Sequence, residues 1–484
     1  MTIAHHIPIL QIILPLFGGL LSALSFNLRA SYFISLASVS IATISSFYFY
    51  KMDSFNEISY VVGNWPSIAG IEYKIDYLNQ PLIIFINLVL LFFLIFAQKL
   101  TYKLSIKYIE ESKQHIFYSF VLFAHAGYIG VVSTNDLFNL YVFIEICSLS
   151  TYVLMSIGSN RSAVIGAFDY LVLGTIGATL ILIGIGFLLA ITGNLNMTEV
   201  SYILNSSPYS RAAYASIGFI IVGILLKIAF LPMHFWMRRA YNNSSPIILS
   251  YFGAISGIFC IYIMTRFTHY VFDVSLLQQK VFANFINPAA LISIIIGSFL
   301  AFRSSNMKEV IVYSTTAQIG YILLLFTTSG AGEILWCIML IDAINKIALF
   351  TMISHIQLKT DDLSFKNFVV LHHSSLFKIL VAIILLSSVG LPPLAMFFVK
   401  VRMLELLLNM EMNIEFLVVI FGSLLAILYN FKIARAIFSS STSSEIHEDH
   451  HVTINKDLTG LMIITVVQVL FLFFMNNLLI NFAY

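Results

Sequence analysis

The stretch IVGILLKIAFLPMHFWMRRAYNNSSP, residues 221–246, begins as a membrane-spanning helix and breaks in its middle. Lys227 lies among apolar residues, and Pro232 follows five positions later. A proline inside a helix lacks an N–H and collides with the carbonyl four residues earlier, here that of Ile228. Carbonyls left unpaired at membrane depth need protein or water as partners, and a charged residue there is a functional hypothesis by default. The stretch therefore predicts a hydrated, proton-handling centre at a helix break.

The composition is that of a polytopic membrane protein. Of the 484 residues, 59% are hydrophobic and only 10% are charged, which is too apolar for a soluble protein of this size. The net charge of +2 gives no indication of nucleic-acid binding, and no basic patch stands out. The N-terminus has no Lys or Arg before its apolar run, so we predict a retained first span rather than a signal peptide.

Fourteen apolar segments are long enough to span a bilayer. Their predicted limits are 8–28, 30–50, 79–99, 115–133, 136–158, 164–192, 211–231, 246–267, 284–302, 308–327, 333–357, 376–400, 411–437 and 458–481. The predicted fold class is therefore an all-α polytopic membrane protein with about 14 transmembrane helices. No soluble domain fits between the spans, whose longest polar interruptions are 51–78, 359–375 and 438–457.

The Lys and Arg residues predict the orientation of the chain in the membrane. With fourteen spans, sixteen of the 25 basic residues lie on the side opposite the termini and five on the side of the termini. Cytoplasmic loops carry the excess of Lys and Arg. Both termini are therefore predicted to face away from the cytoplasm.

A weak internal repeat appears in two broken helices five spans apart. Span seven has Lys227 followed by Pro232, and span twelve has Pro392 and Pro393 followed by Lys400. An odd offset implies repeats of opposite membrane orientation, as in many transporters. We predict helices 1–3 in residues 1–110, one inverted repeat (helices 4–8) in 111–270, a second (helices 9–13) in 271–440, and a cytoplasmic loop with helix 14 in 441–484.

Span five carries Glu145 near mid-depth. A charge in a low-dielectric medium seldom stays unpaired, and Lys227 is the buried residue of opposite sign in the same half. We predict that the two pair and belong to a proton relay. The alternative is a structural ion pair that fixes the helix register. Asp136, at the start of this span, is predicted to be an interfacial helix-start residue.

The second half carries its own acid and bases. Asp342 and Lys346 in span eleven are four residues apart, so they share a helix face and can pair; this spacing predicts a proton relay, with a structural pair as the alternative. His234 lies two residues after Pro232. Because histidine titrates near neutrality, we predict that it passes protons to the cytoplasmic side; the alternative is an interfacial histidine. Lys400 is predicted to hold the exit-side charge, and the alternative is a lysine that snorkels to the interface.

Signals of other chemistry are weak or absent. Span ten offers polar residues that could line a wet path or simply bond to neighbouring helices, namely Tyr313, Ser314, Thr315, Thr316 and Gln318. The tract HEDHH, 447–451, resembles a metal-binding sequence, but we predict a solvated charged loop. The chain contains no GxGxxG, Walker, haem or iron–sulfur pattern, so we predict no catalytic motif, no cofactor and no metal site.

Several segments resemble the antiporter-like subunits shared by Mrp-type multisubunit cation/proton antiporters and respiratory complex I. They are GIEYKIDYLN (70–79), NDLFNLYVFIEICSLSTYVLMSIG (135–158), FDYLVLGTIGATLILIGIGFLLAITGNLNM (168–197), LLKIAFLPMHFWMRRAY (225–241), MKEVIVYSTTAQIGYIL (307–323), NKIALF (345–350) and GLPPLAMFFVK (390–400). The resemblance implies fourteen spans, inverted repeats, broken helices seven and twelve, and a polar axis along the membrane. It also implies that Glu145, Lys227, Lys346 and Lys400 take part in proton transfer.

The TGNLNM phrase (192–197) and the short C-terminus are most similar to the Mrp D-type subunit. Two positions depart from the family pattern. The family usually has a lysine or histidine in span eight, where this chain has Gly257, and often a histidine four residues before the span-eleven lysine, where this chain has Asp342. The first departure leaves an expected gap in the relay, to be filled by water or else to impair proton transfer.

Three functional hypotheses follow. The first is a proton-translocating subunit of a multisubunit Na+/K+–proton antiporter in the bacterial inner membrane, with sibling membrane subunits as partners. The second is a proton-pumping subunit of NADH-quinone oxidoreductase, which differs in its partners. The third is a structural membrane subunit without transport, which Gly257 and Asp342 modestly favour.

Overall fold

The computed structural model describes residues 6–52, 57–66, 70–157, 161–206, 210–272, 281–357, 363–365, 375–438, 460 and 462–467. Within these ranges the chain forms seventeen α-helices longer than one or two turns and one two-stranded hairpin. The helices are α1 Ile7–Leu24, α2 Leu28–Met52, α3 Gln80–Phe96, α4 Gln98–Tyr108, α5 Ile116–Ser133, α6 Leu137–Met155, α7 Arg161–Thr192, α8 Met197–Asn205, α9 Arg211–Lys227, α10 Phe235–Asn243, α11 Pro246–Arg266, α12 Val281–Arg303, α13 Met307–Thr327, α14 Gly332–Gln357, α15 Ser375–Val389, α16 Ala395–Asn409 and α17 Asn413–Phe438; the strands are β1 Ile58–Val61 and β2 Glu72–Ile75.

The predicted all-α polytopic membrane fold is confirmed. Ten helices in the described part of the chain are long and apolar enough to cross a bilayer, and the pair α3 and α4, bent by 70°, makes an eleventh. The broken pairs α9/α10 and α15/α16 fall at predicted spans seven and twelve. Predicted span fourteen and the tract 447–451 lie outside the described residues, apart from Gly460 and the helical residues 462–467.

The chain divides into two compact units. The first comprises Met1–Ala229, Asn243–Ser245 and Phe259–Leu277, and the second Phe230–Asn242, Pro246–Ile258 and Gln278–Tyr484. In the first, α5 packs on α1 and α6, and α7 packs on α9; in the second, α12 packs on α13 and α17, and α14 contacts α13, α15 and α16. The first unit thus contains helices 1–3 and most of the predicted first repeat. The sequence analysis places these two parts in separate domains, and that four-part division stays a prediction.

In the first unit, the segment before α6 pairs with the segment between α7 and α8. The N–H of Leu137 donates to the carbonyl of Leu195 at 2.9 Å, and the N–H of Met197 donates to the carbonyl of Asn135 at 2.8 Å. These bonds satisfy backbone groups that the helix ends leave unpaired. The bridge fixes where α6 begins relative to the end of α7.

The second unit repeats this bridge at the equivalent place. The N–H of Met307, at the start of α13, donates to the carbonyl of Leu363 at 3.1 Å, and the N–H of Phe365 donates to the carbonyl of Ser305 at 2.9 Å. In both units the bonds join the start of the second helix of the five to the segment after the third. This recurrence supports the predicted repeats of helices 4–8 and 9–13.

Both predicted helix breaks are present. Helix α9 ends at Lys227, and Ala229 adopts a left-handed φ of 59° before Pro232. A non-glycine residue in that region is strained, and such strain is concentrated at functional sites. Helix α15 ends at Val389, and Gly390, with φ 81°, takes the left-handed position there without that cost. Each break therefore interrupts the helical hydrogen bonds within an apolar segment.

Candidate functional site: buried lysines at two helix breaks

Lys227, the last residue of α9, is buried in the first unit with 9% of its surface exposed. Its Nζ donates a hydrogen bond to the Oγ of Ser148 on α6 at 2.9 Å. The lysine stem lies beside α7, because a Cβ on Gly177 would stand 3.4 Å from the Cγ of Lys227. A buried ammonium with one hydroxyl partner keeps two donor positions for water or for a second acceptor.

The predicted direct ion pair between Glu145 and Lys227 is not formed. Within the described residues no ion pair joins them, although their charges are close enough to interact electrostatically. Ser148 lies three residues after Glu145 and so on the same face of α6, and the lysine reaches the serine instead. Glu145 is half-buried, and its Oε1 is buried without a hydrogen-bond partner. Glu145 and Lys227 therefore interact through their charges without a direct hydrogen bond. Their role in proton transfer stays a prediction.

Asp136 has the predicted helix-start role. Its carboxylate accepts a hydrogen bond from the N–H of Asn139 at 2.6 Å, which caps the N-terminus of α6. This carboxylate therefore stabilises the start of α6.

The second unit holds the remaining predicted residue at the first break. His234 is buried, and its Nδ1 has no hydrogen-bond partner. Its ring packs against that of Phe235, with centroids 4.6 Å apart. A buried imidazole with an unused nitrogen keeps one position for a proton or a water molecule.

Asp342 and Lys346 form the predicted ion pair on one face of α14. The Nζ of Lys346 lies 2.6 Å from the Oδ2 of Asp342, and both side chains are less than a tenth exposed. Four residues separate them, so the pair is made within a single helix. Breaking it therefore needs a side-chain rotation rather than a movement of helices.

This ion pair borders a small cavity within the second unit, of about 20 Å³, which is room for about one water molecule. Its polar lining comes from four helices, α13, α14, α15 and α17, and includes Ser314, Thr315, Gln318, Asn345, Ser388, Tyr429 and Asn430. The Oε1 of Gln318 is buried without a hydrogen-bond partner, and the Oγ of Ser388 donates to the Oδ1 of Asn430 at 3.1 Å. A polar cavity with an unpaired acceptor meets the requirements for ordered water.

Lys400 lies in α16, just after the second break, and is 5% exposed. Its Nζ donates to the carbonyl of Val389 at 2.9 Å and to the Oγ of Ser423 at 3.4 Å. It also lies 5.2 Å from the centre of the Tyr321 ring. The lysine thus satisfies a carbonyl that the break leaves free, and it does not snorkel to the interface.

One buried ion pair in the first unit was not predicted. Arg266, at the end of α11, lies 2.5 Å from Asp76 in the turn before α3, and both side chains are almost fully buried. The Nε of Arg266 donates to the Tyr262 hydroxyl at 2.9 Å, which in turn donates to the carbonyl of Val132 at 2.7 Å. The sequence places Arg266 at the end of a predicted span, and an arginine at that position is typical of a loop at the membrane surface rather than of a buried ion pair.

No group of three His, Cys, Asp or Glu side chains in the described ranges is arranged to hold an ion.

Comparison with known proteins identifies the family. Residues 134–426 match the model of the family described as NADH:quinone oxidoreductase/Mrp antiporter, transmembrane. The chain belongs to this family. The matched range runs from just before α6 to the middle of α17 and so contains Glu145, Lys227, Lys346 and Lys400.

Curated relatives of this family member are subunits of a respiratory enzyme by name. The chain is 29% identical to the NADH-quinone oxidoreductase subunit N of Desulforudis audaxviator (strain MP104C), over 88% of this chain and 85% of that one. It is 26% identical to the subunit of the same name from Flavobacterium psychrophilum, over 71% and 76% of the two chains.

Solved structures share the fold along nearly the whole chain. A chain of the Mrp complex from Dietzia sp. DQ12-45-1b superposes with a TM-score of 0.87 at 20% identity, covering 99% of this chain and 96% of that one. A chain of respiratory complex I from Thermus thermophilus superposes with a TM-score of 0.74 at 18% identity, covering 96% of each. The protein is therefore an antiporter-like membrane subunit.

Proposed function

We propose that this antiporter-like subunit translocates protons by way of Lys227, Lys346 and Lys400. The observation that carries the proposal is that all three ammonium groups are buried in apolar helices and each keeps a local polar partner that it can exchange. Charges at membrane depth are costly and are retained where protons or ions move. Two of the lysines also adjoin helix breaks, where free carbonyls attract water.

The subunit works in a multisubunit complex of the NADH-quinone oxidoreductase type, in the position that subunit N has in its relatives. This part of the proposal rests on the curated relatives, which carry that name and match across most of both chains. Quinone reduction in other subunits would then drive the proton movement, because this chain has no redox motif. Its partners are sibling membrane subunits in a bacterial inner membrane, and its termini face away from the cytoplasm.

A second function, exchange of Na+ or K+ for protons, is supported by a separate observation. The chain superposes more closely on a subunit of the Mrp complex than on one of complex I, with TM-scores of 0.87 and 0.74. In that case the proton gradient would drive cation export through the same lysines, and the sibling subunits would be small membrane proteins.

Purification of the full chain from its own membranes separates these assemblies. We expect flavin and iron–sulfur proteins to co-purify with the chain, as in an NADH-quinone oxidoreductase. Co-purification of small membrane subunits alone would instead indicate a cation/proton antiporter. Salt tolerance of a strain that lacks its own antiporters provides the complementary test, since only an antiporter loses it with Glu145→Ala or Lys227→Ala. An assembled complex that moves no protons would leave only the structural subunit.

A further inference from the structure

Helix α11 is buried along its whole length except at one point. Of its 21 residues, Ser256 and Gly257 keep intermediate exposure, and the others of Pro246–Arg266 are buried. A helix surrounded by protein shows exposed surface only where a space lies beside it. That space therefore adjoins the middle of α11, at a depth where the neighbouring residues are apolar.

The group that faces this space is an amine. A Cβ on Gly257 would have a single neighbour within 4 Å among the described residues, the Nζ of Lys346 at 3.8 Å. Since that ammonium lies 2.6 Å from the Oδ2 of Asp342, the Cβ position lies at most 6.4 Å from the carboxylate. The exposed patch on α11 and the ion pair on α14 thus border one recess.

Close packing does not explain the glycine. Elsewhere in the second unit, Gly297 and Gly320 each have a backbone atom 2.7 Å from the Cβ position, so helices touch there and any side chain would collide. At Gly257 an alanine fits at ordinary contact distance. The small residue at position 257 therefore leaves empty a space beside the ammonium that a longer side chain would occupy.

We propose that Gly257 keeps open a hydrated recess in which the amine of Lys346 takes up and releases its proton. Water there has the ammonium of Lys346 and the carboxylate of Asp342 as polar partners, and a buried water needs at least two. Proton exchange between an ammonium and water breaks one N–H bond and forms one O–H bond, with the proton passing to the water. The inference rests on the proposed function of Lys346, and it makes Gly257 a positioning residue.

The recess also accepts an amine from the opposite side. A lysine at position 257 reaches about 5 Å beyond its Cβ, and a further hydrogen bond spans the rest of the distance to Asp342. An amine supplied by α11 can therefore replace the one supplied by α14, provided that Lys346 is removed so that the two like charges do not share the recess.

The test is a lysine exchange measured as proton uptake by sealed membrane vesicles that contain the assembled complex. We expect Lys346→Ala to lower uptake at least ten-fold and Gly257→Lys/Lys346→Ala to recover half of the wild-type rate or more. The matched control, Gly257→Met/Lys346→Ala, fills the same space without a charge and should recover nothing. An assembled lysine double variant with no more uptake than Lys346→Ala would overturn the recess, whereas a fully active Lys346→Ala would overturn the proposed role of Lys346 itself.

A second pair of variants tests the proposal if the Gly257→Lys/Lys346→Ala complex does not assemble. Gly257→Leu should reduce proton uptake at least five-fold, while Gly257→Ala should keep it near the wild-type rate. The leucine should also lower the thermal midpoint of the complex by less in the Lys346→Ala background, where the shortened side chain leaves room. Wild-type uptake by an assembled Gly257→Leu complex, or equal losses of midpoint in both backgrounds, would contradict the proposal.

Discussion

Substituting Gly223 by alanine should separate the two helices that hold Lys227. A Cβ at this position would lie 2.5 Å from the carbonyl oxygen of Gly177 and 2.7 Å from the Cγ1 of Ile181. Ordinary contact begins at 3.4 Å, so α7 and α9 must move apart by roughly 0.9 Å to admit it, at an overpacking cost of about 1–3 kcal/mol. Lys227 is one turn further along α9, and its 2.9 Å bond to Ser148 should lengthen or break.

The assay is the thermal midpoint of the detergent-solubilised complex together with its proton uptake after reconstitution. Gly218→Ala is the matched control, since it lies on the same helix and its Cβ would meet nothing within 4 Å. Gly177→Ala should be intermediate, because its Cβ would lie 3.0 Å from the carbonyl of Gly223. Equal midpoints and equal uptake for the Gly223 and Gly218 variants would refute the reasoning that glycine packing sets the place of Lys227.

Two further predictions concern buried charges. Asp76→Asn leaves Arg266 buried without its counter-ion and should destabilise the complex by about 3–5 kcal/mol in denaturant unfolding, whereas Asp76→Leu/Arg266→Met should recover most of the loss; an Asn variant as stable as wild type would contradict this. Lys400→Met leaves the Val389 carbonyl unpaired and should at least halve proton uptake, while Arg402→Met, in an exposed ion pair two residues away, should not change it; equal uptake by the two variants would argue against a role for Lys400.

The spans and the breaks could be predicted because each rests on a local signal. Apolar runs of sufficient length locate helices, and a proline in such a run marks a break, as at Pro232 and Pro393. The Asp342–Lys346 pair is also local, since four residues on one helix determine it. Helix α4 was missed because its polar face lowers its hydropathy, so its lysines resembled those of a loop.

The contacts between helices could not be predicted from spacing. Ser148 rather than Glu145 receives the Lys227 ammonium, a choice that depends on how α6 and α9 are rotated. Arg266 resembled a charge at a span end until its pairing with Asp76, 190 residues earlier, became visible. The Lys346 ammonium on α14 lies 3.8 Å from the Cβ position of Gly257, and no sequence pattern relates those two positions.

The most direct test of proton transfer through the buried lysines is the number of protons moved per turnover by the complex with Lys227→Ala. The account predicts that the complex assembles in normal amount, keeps its driving reaction, and moves fewer protons for each cycle of that reaction than the wild type does. An assembled Lys227→Ala complex with the wild-type number of protons per turnover would contradict it.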